Sequence, residues 1–207
     1  YEPAQLSRFA VDGNTLSSRR IDGRLFLVQQ TPLHSYQLRT WTEIDWDAND
    51  NQIDAAYDAL VAENKQKLAQ ADLSELLPQR YTFNQDGELG EPEALTACDR
   101  LYKPEVYSGD GLLTVATLDL SDDGDATPRG TSVLGSWGTV YSSRQSLYVA
   151  ATNWDYSWYW EGQEDAPEVP TRLHKFNLST ADGIAEYRAS GEVEGTTLNQ
   201  FSLDEHE

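Results

Sequence analysis

Five aromatic residues, Trp154, Tyr156, Trp158, Tyr159 and Trp160, fall within seven consecutive positions. Alternating rings of this kind can form a flat platform on which sugars, peptides or apolar ligands stack. Asp155, Glu161, Glu164 and Asp165 add polar partners around them. The same stretch also reads as a strand end and loop whose rings pack on neighbouring structure, because large exposed aromatic patches are uncommon without a partner.

The remaining candidates for chemistry are less specific. Asp45-Trp-Asp47-Ala-Asn49-Asp50-Asn51 begins like a calcium loop. Such a loop needs a Gly at its sixth position and a Glu at its twelfth. Counting from Asp45 gives Asp50 and Ala56; counting from Asp47 gives Gln52 and Asp58. The alternative is a polar loop that caps a helix. The many Asp and Glu residues allow a carboxylate pair at a glycosidase-like separation, but a signal so common has almost no specificity. His34, His174 and His206 show no metal-ligand spacing, and His174 reads as a surface residue of an alternating strand. Ser132 and Ser136 are not set in a Gly-x-Ser-x-Gly elbow. Gly130 to Gly138 is glycine-rich but lacks the Lys of a phosphate loop, and it reads as a turn before a strand at Tyr141. No catalytic residue, metal ligand or cofactor site emerges.

The elements that must position these residues are strands. Three stretches share one pattern: Leu6 to Val11 before Asp12-Gly13, Val115 to Leu120 before Asp123-Gly124, and Leu173 to Leu178 before Asp182-Gly183. Each is an alternating apolar segment followed by a turn, and Gly accepts the positive φ of a hairpin without steric penalty. Buried-strand runs accompany the first two copies: Leu25 to Val28 after Ser17-Ser18-Arg19, and Leu147 to Ala150 after Ser142-Ser143-Arg144. A third unit breaks off near Leu198 to Leu203. Val115 and Leu173 lie 58 positions apart, whereas Leu6 and Val115 lie 109 apart. The surplus of 51 measures an insertion, placed at residues 41–100. Recurring multi-strand units of this size indicate a solenoid or propeller.

Within the insertion, a helix is predicted over 51–71. Ile53, Ala56, Tyr57, Leu60, Val61 and Leu68 follow helical spacing. Asn49, Asp50 or Asn51 can cap its start, and Lys65 and Lys67 suit its C-terminal end. The helix is expected to pack on the outside or at one mouth of the β-structure.

The chain has 207 residues, begins at Tyr1 and contains no Met, so it reads as a piece of a longer protein. It carries 35 acidic and 15 basic residues, a net charge of −20. That charge repels phosphate backbones and argues against nucleic acid as a partner. It fits a solvated acidic surface, or one screened by cations. No apolar run approaches the roughly 20 residues of a membrane helix, so no membrane insertion is expected. Cys98 has no partner cysteine in this sequence. It reads as a small buried hydrophobe, or as one half of a disulfide to a residue elsewhere.

The segments Leu16 to Val28, Val140 to Ala150, Thr171 to Phe176, Asp72 to Pro78, Ala189 to Val193 and Leu198 to Asp204 resemble the secreted bacterial proteins that carry a C-terminal β-propeller domain distantly related to WD-40 repeats. The resemblance implies a propeller fold and export, often with a membrane or lipid anchor upstream. It implies no catalytic residues. The expectation is therefore an all-β, propeller-like chain of about three blades in an incomplete ring, spanning residues 1–207, with a helical insertion. The function it points to is a secreted or envelope-anchored binding module without enzymatic activity, whose partner is an unknown protein or glycan. Two other readings stand beside it: a carbohydrate-active enzyme with a carboxylate pair beside the aromatic platform, and a structural element that packs on the rest of its own chain. Open sheet edges would favour self-association.

Overall fold

The computed structural model describes residues 5, 7–33, 38–72, 76–84, 86–121, 127–152 and 169–206. Its elements are β1 (Phe9–Val11), β2 (Asn14–Ile21), β3 (Arg24–Pro32), α1 (Asp50–Gln70), β4 (Gln79–Thr82), β5 (Glu93–Ala94) and β6 (Thr96–Tyr102). There follow β7 (Gly111–Asp119), β8 (Arg129–Leu134), β9 (Thr139–Ser142), β10 (Ser146–Thr152), β11 (Thr171–Asn177) and β12 (Glu186–Val193). A 3-10 turn sits at Gln200–Ser202.

Among the described residues the strands form three sheets. One is an antiparallel meander, β9-β10-β11-β12, in which each strand pairs with the next in sequence. The second repeats that plan as β2-β3-β7-β8. Here residues 33–110 leave between the second and third strands, and β6 returns to add itself in parallel to the β8 edge. The third sheet is small, β1-β4-β5. This is the all-β, propeller-like class that the repeats indicate, without a closed ring.

The repeat copies are not all equivalent. Val115 to Leu120 and Leu173 to Leu178 lie in or just beyond β7 and β11, the third strands of the two meanders. The first copy instead forms β1, which pairs with β4. Asp12 explains this: its N–H donates to the Gln79 carbonyl, and its carboxylate accepts from the Gln79 N–H, both at 2.9 Å. Gly13, at φ +105°, then turns the chain away into β2. The two Ser-Ser-Arg triplets also differ, since Ser17 to Arg19 lie within β2 while Ser143 and Arg144 form the β9–β10 turn. The glycine-rich run 130–138 is mostly strand β8 rather than turn. Gly130 is required there because a Cβ would press on Thr96, Thr114 and Leu95.

The core lies between the two meanders. Phe26, Val28, Leu113, Val115 and Val133 of one sheet meet Val140, Leu147, Val149 and Phe176 of the other, all buried. Each such side chain contributes about 1.5–3 kcal/mol by leaving water. Strand β7 is buried on both faces. Its far face carries a buried hydroxyl chain, in which Ser132 Oγ bonds Thr96 Oγ1 at 2.8 Å and Thr114 Oγ1 at 2.7 Å. The sheets stack in the same sense, with β2 beside β9 and β8 beside β12. Arg144 in the β9–β10 turn pairs with Asp22 in the β2–β3 turn, and Arg100 of β6 pairs with Asp182.

Helix α1 starts with a capping box: Asn49 accepts from the Gln52 N–H, and the Gln52 side chain accepts from the Asn49 N–H. Lys67 pairs with Glu63 one turn earlier. Of the apolar stripe, Leu60 alone is buried, while Tyr57, Val61 and Leu68 are exposed. A cavity of about 290 Å³ separates Leu68 from Leu101, Leu112 and Leu134. Cys98 lies exposed on β6 rather than in a core.

Candidate functional site

The same-sense stacking of the meanders puts both long connections at one end of the molecule. Residues 33–110 leave and return at the paired residues Pro32 and Gly111. The β10–β11 connection leaves and returns at Thr152 and Thr171. The crossing from β8 to β9, residues 135–138, lies at this end as well, for Leu134 pairs with Leu112 and Thr139 with Ala150. The opposite end carries the β2–β3 and β9–β10 turns and the connections 120–128 and 178–185. Loops on a rigid scaffold are where binding groups accumulate.

The candidate residues Trp154, Tyr156, Trp158, Tyr159 and Trp160 lie outside the described residues, in the connection that joins Thr152 to Thr171. Three tryptophans that the sequence reading passed over stand exposed in the neighbouring connections. Trp46 is 97 % exposed, Trp41 63 % and Trp137 59 %. Their signal in the sequence is slight: Trp46 sits between two aspartates, and Trp137 between a serine and a glycine.

Between the sheets at this end lies a cleft of about 390 Å³. Lys103, Glu105 and Ser108 line one side, and Arg172, Ser190 and Glu192 the other. Arg172 and Glu192 face each other across β11 and β12 and form an ion pair. The Arg172 Nε has no partner among the described residues.

Beneath the cleft, Tyr187, Ser190 and His174 form a short hydroxyl–imidazole chain. The Tyr187 hydroxyl bonds Ser190 Oγ, which lies 2.9 Å from His174 Nδ1. A bulge makes this possible. Lys175 pairs with Ala189 but Phe176 with Tyr187, so Arg188 is the extra residue. That extra residue places Tyr187 and Ser190 on the same face of the sheet. Tyr187 in turn stacks on Tyr102 of β6, ring centroids 4.9 Å apart, and closes the floor between the sheets.

His174 is not the surface residue that its alternating strand suggested. It is fully buried on the face shared with Phe176 and Val149. Its Nε2 lies against Gly135, where a Cβ would come within 3.0 Å, and finds no partner among the described residues. Burial, with the Arg172 charge adding to it, lowers the imidazole pKa to about 4. The ring is therefore neutral at neutral pH. A Ser–His contact invites comparison with a nucleophile and its base. Here the imidazole Nδ1 lies against Ser190 Oγ and helps hold the Ser190 and Tyr187 hydroxyls in place. The cleft offers oriented hydroxyls and one paired guanidinium, which suits binding of a small polar group.

Among the described residues, no three His, Cys, Asp or Glu side chains are grouped as a metal site requires. In the 45–51 loop Asn49 serves as the helix cap. Among the same residues, no helix is long and apolar enough to cross a membrane. No curated protein and no solved structure matches the chain. The Beta propeller domain family matches residues 1–207, over two four-stranded meanders stacked face to face, and the chain belongs to that family.

Proposed function

We propose that this propeller domain is an exported binding module, held at the cell surface or in the envelope, that engages a protein or glycan through the loop end of its sheets. The observation that carries the reading is the set of exposed tryptophans, Trp41, Trp46 and Trp137, on connections rooted at one end of a buried two-sheet core. Large rings held in solvent cost stability and gain value when a partner covers them. The resemblance to secreted bacterial propeller proteins related to WD-40 repeats supports export. Trp154, Tyr156, Trp158, Tyr159 and Trp160 lie in sequence between Thr152 and Thr171, which pair at this end, and are proposed to complete the contact surface. The net charge of −20 weighs against nucleic acid.

The test uses two sets of alanine replacements, one at Trp41 and Trp46 and one at Trp154, Tyr156, Trp158, Tyr159 and Trp160. Both are assayed on glycan and peptide arrays alongside circular dichroism. The reading requires unchanged spectra and lost binding. Variants that unfold, or that bind as the parent does, would refute it.

A second reading is self-association through open edges. Strands β2 and β12 are unpaired on their outer sides among the described residues, and Leu198 and Phe201 stand exposed. Light scattering coupled to size exclusion decides it, since a strict monomer at high concentration excludes such an interface.

A further inference from the structure

The cleft between the sheets and the 135–138 crossing are joined by main chain. Ser108, which lines the cleft, accepts from the Ser136 N–H through its carbonyl at 2.7 Å, and the Gly135 N–H donates to the Gly111 carbonyl at 3.0 Å. A Cβ on Gly109 would run into Ser136, so the two segments meet only because that position is bare. On the other side of Trp137, Gly138 lies against the Ala150 backbone. Trp137 is therefore an exposed indole on backbone held from both sides, next in the chain to a residue bonded to the cleft wall. A ring presented in solvent on so fixed a mount suits a partner that stacks on it.

The cleft is balanced in charge although the chain is not. Two cations, Lys103 and Arg172, and two carboxylates, Glu105 and Glu192, line its volume of about 390 Å³, whereas the whole chain carries −20. An anion placed there meets the carboxylates, and a cation meets the ammonium and the guanidinium, so net charge of either sign is penalised. A neutral ligand that both donates and accepts avoids the penalty. Sugar hydroxyls do this, each being donor and acceptor on one atom. Two neighbouring ring hydroxyls can thus satisfy the paired Arg172 guanidinium and Glu192 carboxylate together. A peptide amide divides those tasks between its N–H and its C=O. Ser190 adds a hydroxyl oriented by His174 and Tyr187, while Pro104, Val106 and Ala189 supply apolar wall for ring C–H groups. The volume falls within the roughly 300–1,000 Å³ of small-ligand sites.

We propose that this cleft is a subsite for a neutral pyranose unit of a glycan, with Lys103, Glu105, Arg172, Ser190 and Glu192 reading its hydroxyls and Trp137 stacking on the neighbouring unit. The proposal rests on the loop end being a binding surface and narrows its partner to an uncharged carbohydrate.

Titration calorimetry on the full chain tests it with maltotriose, cellotriose and chitotriose, which are neutral, the deacetylated chitosan trimer, which is cationic, and trigalacturonate, which is anionic. At least one neutral trisaccharide is expected to bind, and each charged one at least about tenfold more weakly. Trp137→Ala and Glu192→Gln are each expected to weaken the bound sugar about tenfold or more, with circular dichroism unchanged. Lys103→Gln, at an exposed side chain, should weaken it severalfold and serves where either of the others disturbs the fold. The proposal is overturned if no neutral trisaccharide binds, if a charged one binds as well as the best neutral one, or if the folded cleft variants bind as the parent does. Combined alanine replacement at Trp41 and Trp46, with a peptide array beside the sugars, separates this failure from that of the wider reading. Sugar binding lost there but indifferent to the cleft sinks the subsite alone, as does peptide binding without sugar binding. Binding to neither class sinks both.

Discussion

The Thr131 hydroxyl of one sheet donates to the Ala185 carbonyl of the other at 2.6 Å, and both residues are fully buried. The Ala185 N–H is met in the same way, by Thr117 Oγ1 at 3.1 Å. Two threonines on neighbouring strands of the first sheet thus satisfy both backbone groups of one residue where the second sheet begins its last strand. This pair of contacts sets the relative height of the two sheets, which apolar packing alone leaves free to slide.

Thr131→Val keeps the shape and strands the carbonyl. The expected loss is about 1–3 kcal/mol, the cost of an unsatisfied buried acceptor. Urea denaturation measures it. Thr131→Ser, which keeps the hydroxyl, should recover much of the difference.

His174 makes stability depend on pH in a defined window. Its folded pKa of about 4 lies below the ordinary 6.5, so the unfolded chain binds the proton first. Above pH 6.5 both states are neutral and nothing changes. As pH falls from 6.5 toward 4, the unfolded state gains protons and stability drops, by roughly 2–3 kcal/mol in all. Thermal melts across this range should show that slope, and His174→Gln should remove it whatever its effect on the baseline.

Glu205 acts in a lower window. Its hydrogen bonds to Ser143 and Tyr148, in that order of weight, hold its pKa at about 2 against an ordinary 4.5. Its contribution is complete above pH 4.5 and is lost as pH falls toward 2. With the partial exposure of the Lys175 pair allowed for, about 1–2 kcal/mol is at stake. Glu205→Gln should flatten the melting curve below pH 4.5 and leave the His174 window untouched.

Gly138 ends the crossing into β9 with its backbone pressed on Ala150. A Cβ there would collide with the Ala150 carbonyl and the Ala151 backbone, neither of which can rotate aside. Gly138→Ala is expected to cost more than about 2 kcal/mol, because overpacking against main chain cannot be relieved by a rotamer change. Chemical denaturation tests this, with Gly191→Ala as the control, since open space surrounds that position.

Some of this architecture is written in the local pattern. The alternation in Val115 to Leu120 and Leu173 to Leu178 marks two strands that occupy equivalent places, and Asp182-Gly183 marks the hairpin that follows the second. The helix is legible from its period and its Asn49 cap. The cleft is not. Simple alternation puts Tyr187 and Ser190 on opposite faces, and the bulge at Arg188 that unites them leaves no mark in composition. His174 reads as exposed because alternation says which residues share a face, not which face is covered.

By itself the sequence determined the all-β class, the strand–turn units and the helix, since each follows from neighbouring residues and their backbone preferences, and it set the net negative charge. Tertiary structure alone decided that β3 pairs with β7 across residues 33–110, that the first repeat copy leaves the meander for β4, and that Glu205 comes to rest beside Tyr148. The physical reason is that period-two alternation fixes the orientation of a strand but carries no record of its partner. Partners are chosen by the burial and hydrogen bonding of the whole core, to which residues far apart in the chain contribute together.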